Sequence, residues 1–258
     1  MEGRKYFFFD IDGTLTLPSG DGTSVPESTR RTIDALRERG HFVSIATGRS
    51  YAKAVDVMHS LGFENMVSDG GHGVTIDGEL LGIEPLDRDL CIRLVRECEA
   101  KGFAWGIQPD NSDTRLVPDG RFMELTNDRY MRTRVVEGLD PEDYEQIFKV
   151  YVACRDGEEA PLETLRELPW CRFMEEYIFV EPADKARGIR RIVSHLGGNV
   201  ADVVVFGDER NDLSMFCPEW TCVAMGNAVP ELKERADYVT ASVWDDGISK
   251  ACEHFGWI

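Results

Sequence analysis

Residues 6–9 read Tyr-Phe-Phe-Phe, and the run stops at Asp10. Four consecutive large apolar side chains leave a strand no face to offer to water. A strand built from them must be covered on both sides, as in a parallel sheet with helices front and back. Asp10 then sits at the carboxyl end of the strand, where open α/β sheets place their ligands. A second acid, Asp12, follows two residues on, before Gly13-Thr14. Two carboxylates at the mouth of a buried strand cost free energy unless something compensates them. They either cap a loop or hold a hard cation, which takes oxygen ligands.

The same pattern recurs along the chain. After a polar, Gly-rich loop over 15–25, residues 26–40 have helical spacing, with Pro26 near the start and Gly40 as the stop. Phe42 to Ala46 forms a second buried-type strand ending in Thr47-Gly48-Arg49, and Ser50 can cap a helix carrying Ala54, Val55, Met58 and Leu61. Strand and helix alternating in this way predict a doubly wound parallel sheet, an α/β, Rossmann-like core. Residues 66–85 break the rhythm with Gly-rich turns, including a hairpin signal at Asp77-Gly78. From Leu86 the pattern becomes α+β. It predicts a helix over 87–102, strand-like runs at 103–108, 114–117 and 121–125, and a hairpin turn at Pro118-Asp119-Gly120. Helices near 141–147 and 161–168 and strands at 148–153, 171–174 and 177–181 follow. At Pro182 the alternation resumes: a helix from Asp184 to Gly197, strands at 203–206 and 221–224, a short helix after Asn211, a helix over 229–236, a short strand at 238–239 and a helix from Asp246. The expected organisation is a core of residues 1–82 and 184–258 interrupted by an inserted α+β domain over 83–183.

Composition narrows the function classes. A net charge of −18 argues against nucleic acid or an anionic membrane as partner, because a phosphate backbone needs a basic footprint. It leaves room for a small phosphorylated ligand, where local cations decide. The seven cysteines are scattered without a C-x-x-C pair, so neither a zinc site nor a disulfide framework is expected. No apolar run approaches the ~20 residues of a membrane helix. The N-terminus lacks the core of a signal peptide, and a cytoplasmic protein is expected. Nothing in the sequence decides between a monomer and a homo-oligomer.

Three core strands end in polar residues, Asp10/Asp12, Thr47 and Asp208, and a parallel sheet would bring these ends to one edge. Lys185 opens the helix after the insertion, where a cation opposes the helix dipole; that favours a functional lysine over one that merely keeps its head in water. In order, DIDGT (10–14), ATGR (46–49), Lys185 and GDERND (207–212) resemble the four motifs of the haloacid dehalogenase-like phosphatase superfamily. AMGNA (224–228) and Asp246-Gly247 also resemble the subgroup called Cof-type hydrolases.

The resemblance implies a Mg²⁺-dependent phosphatase acting on small phosphorylated metabolites, most readily sugar phosphates. Asp10 is then the nucleophile that carries the phosphoryl group, and Asp12 the general acid/base. The metal set is Asp10, the backbone carbonyl of Asp12, Asp208 and, directly or through water, Asp212. Thr47 and Lys185 bind the phosphoryl group, with Gly48 and Asn211 bordering the pocket; Arg49 either touches the ligand or pairs with an acid. The insertion resembles a cap that closes over the site, and its arginines Arg115, Arg121, Arg129, Arg132 and Arg134 either reach a second anionic group of the substrate or pair with acids of the insertion itself. Relatives carry an Asn-Gly-Ala-like segment where this chain has Asp69-Gly70-Gly71-His72. The alternatives are a phosphomutase or cofactor-precursor phosphatase of the same superfamily, and a phospho-ligand-binding module without turnover.

Overall fold

The computed structural model describes residues 3–17 and 24–258, so most of the loop expected over 15–25 lies outside the described residues. The chain opens with β1 (Tyr6–Phe9), α1 (Glu27–Glu38), β2 (Phe42–Ala46), α2 (Tyr51–Ser60), β3 (Met66–Ser68), β4 (Gly73–Ile76) and β5 (Glu79–Ile83). Next come α3 (Arg88–Lys101), β6 (Ala104–Gln108), β7 (Thr114–Val117), α4 (Arg121–Thr126), β8 (Arg132–Val135), β9 (Lys149–Ala153), β10 (Trp170–Met174) and β11 (Tyr177–Val180). It ends with α5 (Lys185–His195), β12 (Val203–Gly207), β13 (Thr221–Ala224), α6 (Pro230–Lys233), β14 (Tyr238–Val239) and α7 (Gly247–His254). These elements form two compact units, Met1–Gly82 with Asp184–Ile258, and Ile83–Ala183.

The first unit is α/β. Its eight-stranded sheet runs β14-β13-β12-β1-β2-β3-β4-β5. Strand β1 lies at its centre, parallel to β12 on one side and β2 on the other. The four aromatics of β1 divide between the two faces, as a period of two demands. Phe7 and Phe9 pack with Ile33 and Leu36 of α1, Met58 of α2 and Ile248 of α7. Tyr6 and Phe8 pack with Ile189 and Ile192 of α5 on the other side. The apolar run is thus buried because helices cover both faces. At the Asp77-Gly78 turn after β4 both residues have positive φ, 50° and 78°, the backbone of a tight two-residue hairpin.

The second unit is α+β. Its six-stranded sheet runs β10-β11-β9-β6-β7-β8, antiparallel at every step except β7–β8. Leu94, Val95 and Cys98 of α3 cover one face, and Phe122 of α4 packs with Tyr151, Tyr177 and Phe179 on the other. Here the structure corrects the sequence reading. Residues 121–125 form a helix instead of a strand, because Asp119 accepts a hydrogen bond from the Arg121 amide at 2.9 Å and starts a turn that buries Phe122 and Thr126, four residues apart, on one side. On the side away from β6, β7 therefore pairs with β8, in parallel, and Pro118-Asp119-Gly120 turns into a helix. The helices expected near 141–147 and 161–168 are short 3-10 turns, Pro141–Asp143 and Glu163–Arg166. In the first unit, the helix expected over 229–236 contracts to α6, and the one after Asn211 is a 3-10 turn, Arg210–Met215.

Among the arginines of the second unit, Arg115 is fully buried. It pairs with the equally buried Asp128 at 2.7 Å and lies over the rings of Phe122 and Tyr151. Arg121 pairs with Asp119 and Arg132 with Asp113. No helix of the described residues is long and apolar enough to cross a membrane.

Candidate active site

Register brings the site together. Phe9 lies level with Phe206 and Ile45 on the neighbouring parallel strands, so Asp10, Asp208 and Thr47 emerge at the same edge of the sheet. The Asp10 amide still donates to Phe206 O at 3.0 Å, which fixes the start of the loop. Asp10, Asp208 and Asp212 each point one carboxylate oxygen into a space where these atoms lie within 4.8 Å of one another. That is an all-oxygen donor set of the kind a hard divalent cation takes.

Two glycines permit this crowding. A Cβ on Gly13, whose φ is +85°, would stand 2.2 Å from Asp208 Oδ2. A Cβ on Gly207 would stand 2.7 Å from Asp212 Oδ2. Asp208 is aimed by its neighbours: Thr14 Oγ1 donates to its Oδ1 at 2.8 Å and Asn227 Nδ2 to its Oδ2 at 3.2 Å. Asn227 also donates to Gly13 O at 2.9 Å and accepts from the Val243 amide, so it ties the first loop to the end of the chain. Asp212 accepts from the amides of Asp208 and Glu209 through Oδ2.

Lys185, in the first turn of α5, is 1% exposed. Its Nζ lies 2.6 Å from Asp10 Oδ1 and 2.5 Å from Asp212 Oδ1. Ser214 Oγ accepts from its amide at 3.1 Å. Burial by itself would lower the lysine's pKa, but Asp10 and Asp212 outweigh it and hold the group above the ordinary lysine range. One ammonium does not balance three carboxylates. Burial, followed by the charge of Asp212, raises Asp10 to about 7 against the pull of Lys185. Burial also raises Asp208 to about 7, with Thr14 opposing. The cluster therefore has room for positive charge.

The second loop supplies the remaining residues. Thr47 is buried, and its Oγ1 accepts from the Arg49 amide at 3.1 Å. Gly48 lies beside Asn211, whose Nδ2 would be 3.7 Å from a Cβ placed there. Asp12 stands apart from the carboxylate cluster. Its side chain is 58% exposed and Arg49 grips it from two nitrogens, Nη2 at 2.7 Å from Oδ1 and Nε at 3.1 Å from Oδ2. Of the two roles open to Arg49, the structure displays the pairing with an acid.

The Asp69-Gly70-Gly71-His72 segment serves as a brace. Asp69 is buried; its amide donates to Arg49 O at 2.8 Å, and its Oδ2 accepts from the Tyr51 amide at 2.9 Å. Gly70 O accepts from the Asp184 amide at 2.7 Å, and a Cβ on Gly71 would collide with Asp184 O at 1.8 Å. One short turn thus holds both the loop of Thr47 and the start of the helix of Lys185. Asp69 is visible in the sequence only as a departure from the relatives' segment, and Thr14, Ser214 and Asn227 do not stand out there individually. Thr14 and Asn227 lie inside the DIDGT and AMGNA segments, which were the available signal; Ser214 had none.

Comparison with known proteins places the chain in a family. A profile of haloacid dehalogenase-like hydrolases matches residues 7–252. YkrA of Bacillus subtilis (strain 168), provisionally named as a phosphatase, is 34% identical over 256 residues, covering 98% of each chain. A hypothetical protein from Geobacillus kaustophilus HTA426 superimposes with a TM-score of 0.82 at 32% identity, over 99% of this chain and 100% of that one. BT4131, described as a HAD subclass IIB sugar phosphatase, superimposes with a TM-score of 0.76 at 26% identity, over 98% and 100% of the two chains. Motif order, site geometry and full-length similarity together establish that this chain is an enzyme, a member of the haloacid dehalogenase-like hydrolase family.

Proposed function

We propose that this enzyme is a Mg²⁺-dependent phosphatase of small phosphorylated metabolites, sugar phosphates foremost, in which Asp10 carries the phosphoryl group between two steps. The observation that supports it best is the buried Lys185 wedged between Asp10 and Asp212, beside a third carboxylate at the end of the central strands. A nucleophilic carboxylate must be ionised, yet must approach an anionic ester. Lys185 holds the negative form of Asp10 by charge and hydrogen bond. The carboxylates of Asp10, Asp208 and Asp212, with the Asp12 carbonyl, would hold Mg²⁺, which would supply the further positive charge that relieves repulsion between carboxylate and phosphate.

In the first step an Asp10 oxygen forms a bond to phosphorus, the ester P–O bond breaks, and the departing alkoxide takes a proton from Asp12. In the second step water gives its proton to Asp12 and attacks phosphorus, breaking the bond to Asp10 and releasing inorganic phosphate. Thr47 and Lys185 hold phosphoryl oxygens through both steps, and Gly48 leaves room for them beside Asn211. The inserted unit, residues 83–183, is proposed as the part that selects the rest of the substrate. The similarity to a protein described as a sugar phosphatase supports that substrate class.

The test is phosphate release from an aryl phosphate and a panel of sugar phosphates, with Mg²⁺ and with chelator, for the wild type and Asp10→Asn. Turnover that needs the metal and vanishes with Asp10→Asn is the expected result. Turnover that survives either change refutes the mechanism, and tight phosphate binding without turnover would turn the reading to a ligand-binding module.

A further inference from the structure

The contact between Asp12 and Arg49 is at odds with the work required of Asp12. A general acid/base needs an oxygen aimed at the atom that gains or loses the proton. Here Arg49 Nη2 lies 2.7 and 2.9 Å from the two Asp12 oxygens, and Nε lies 3.1 Å from Oδ2. Both oxygens are thus turned to one guanidinium in the two-pronged geometry that suits this pair. The carboxylate is also outside the cluster formed by Asp10, Asp208 and Asp212.

Arg49 is anchored by its backbone, while its guanidinium is spent on Asp12. Its amide donates to Thr47 Oγ1, its carbonyl accepts from the Asp69 amide, and the next residue but one begins α2 with an amide fixed by Asp69. The guanidinium therefore hangs from a rigid loop that also carries Thr47. Its side chain is 26% exposed and that of Asp12 58%, so solvent weakens the pair and exchange of partners is inexpensive. A phosphoryl group seated against Thr47 and Lys185 carries more negative charge than one carboxylate and offers three acceptor oxygens. It is the stronger partner for the same guanidinium.

Resting on the phosphatase reading above, we propose that Arg49 is a substrate-released latch: while it grips Asp12 it holds that carboxylate away from the chemistry, and the arriving phosphoryl group draws it off and sets Asp12 free. The exchange moves one hydrogen-bonded cation from one anion to another and makes or breaks no covalent bond. While the phosphoryl group stays on the enzyme Arg49 remains with it, so Asp12 is available for both steps. Departure of inorganic phosphate lets the pair close again. Arg49 acts on the reaction partly through Asp12 and is in that respect a positioning residue.

The latch makes Asp12 a competitor of phosphate for Arg49, which calorimetry can read without turnover. Inorganic phosphate is titrated, at fixed Mg²⁺, into the wild type, Asp12→Ala, Arg49→Ala and the double variant. Arg49→Ala should weaken phosphate binding. Asp12→Ala should tighten it by roughly two- to fivefold, the worth of a partly exposed ion pair. In the Arg49→Ala background the Asp12 change should have no effect, because nothing is left to release. Equal tightening in both backgrounds would show only the removal of a nearby negative charge and would overturn the latch. So would an Asp12→Ala affinity equal to that of the wild type. Arg49→Lys, which keeps the charge but cannot grip a carboxylate from two nitrogens, should recover part of the phosphate affinity; no recovery at all would point to a structural defect and count against the proposal. A wild type that neither binds phosphate nor hydrolyses any ester would overturn the phosphatase reading itself, an outcome distinct from any failure of the latch.

Discussion

Lys185→Met tests the heart of the site. The substitution keeps a long side chain of similar volume and removes only the charge and its hydrogen bonds. Lys185 is 1% exposed, and its two partners, Asp10 and Asp212, are 6% and 0% exposed in their side chains. Were this a surface pair, its loss would cost under ~1 kcal/mol. Burial decides otherwise: removing one member of a buried pair leaves uncompensated charge and costs about 3–5 kcal/mol. Two carboxylates are stranded here, with a third, Asp208, close by, so the upper part of that range is expected. For a unit of this size the loss lowers Tm by roughly 6–20 °C. The assay is thermal unfolding in chelator at pH 8, repeated at pH 5, where protonation of Asp10 and Asp208, both raised to about 7, relieves the repulsion and the difference should shrink. Mg²⁺ should return part of the lost stability by standing in for the missing ammonium. A variant that melts within ~2 °C of the wild type in chelator at pH 8, where ~1 kcal/mol shifts Tm by a few degrees, would refute the reasoning.

Without metal, stability should fall as pH rises from about 4 to about 7, because Asp10 and Asp208, raised from 3.8 to about 7, bind more protons in the folded state than in the unfolded one across that window. The stabilisation by Mg²⁺, about 2.7 kcal/mol at a hundredfold excess over its Kd, should accordingly grow between pH 5 and pH 8 in scanning calorimetry. In the second unit, Arg115→Met should strand the buried Asp128 and destabilise that unit by about 3–5 kcal/mol, read as an earlier unfolding transition, while leaving Mg²⁺ binding intact.

What could be read in advance follows from the range of the interactions involved. The aromatic run of β1 dictates a strand covered on both faces, since neither parity of its side chains can meet water. The same local logic makes Phe42–Ala46 and Val203–Gly207 buried strands, and it brings Asp10, Thr47 and Asp208 to one edge once the strands run parallel. Residues 121–125 resist a reading from sequence for an equally local reason. Arg-Phe-Met-Glu-Leu fits both a period of two and a period of 3.6, and only the Asp119 side chain on the Arg121 amide and the burial of Phe122 choose the helix.

The site divides along the same line. Sequence by itself determined which carboxylates end the central strands, and that a lysine follows the insertion. Tertiary structure alone decided what those groups do to one another. Lys185 could have kept its head in water, as most lysines do; packing of α5 against β3 and the Gly70-Gly71 turn buries it between Asp10 and Asp212. Asp69, an acid where an amide was expected, proves to be a backbone brace for the loop of Thr47 and Arg49. Asp10 and Asp12, two residues apart and chemically identical, part company completely: one is buried against a lysine, the other exposed and held by an arginine. Their difference comes from residues 37 and 175 positions away in the chain, a separation no local pattern spans.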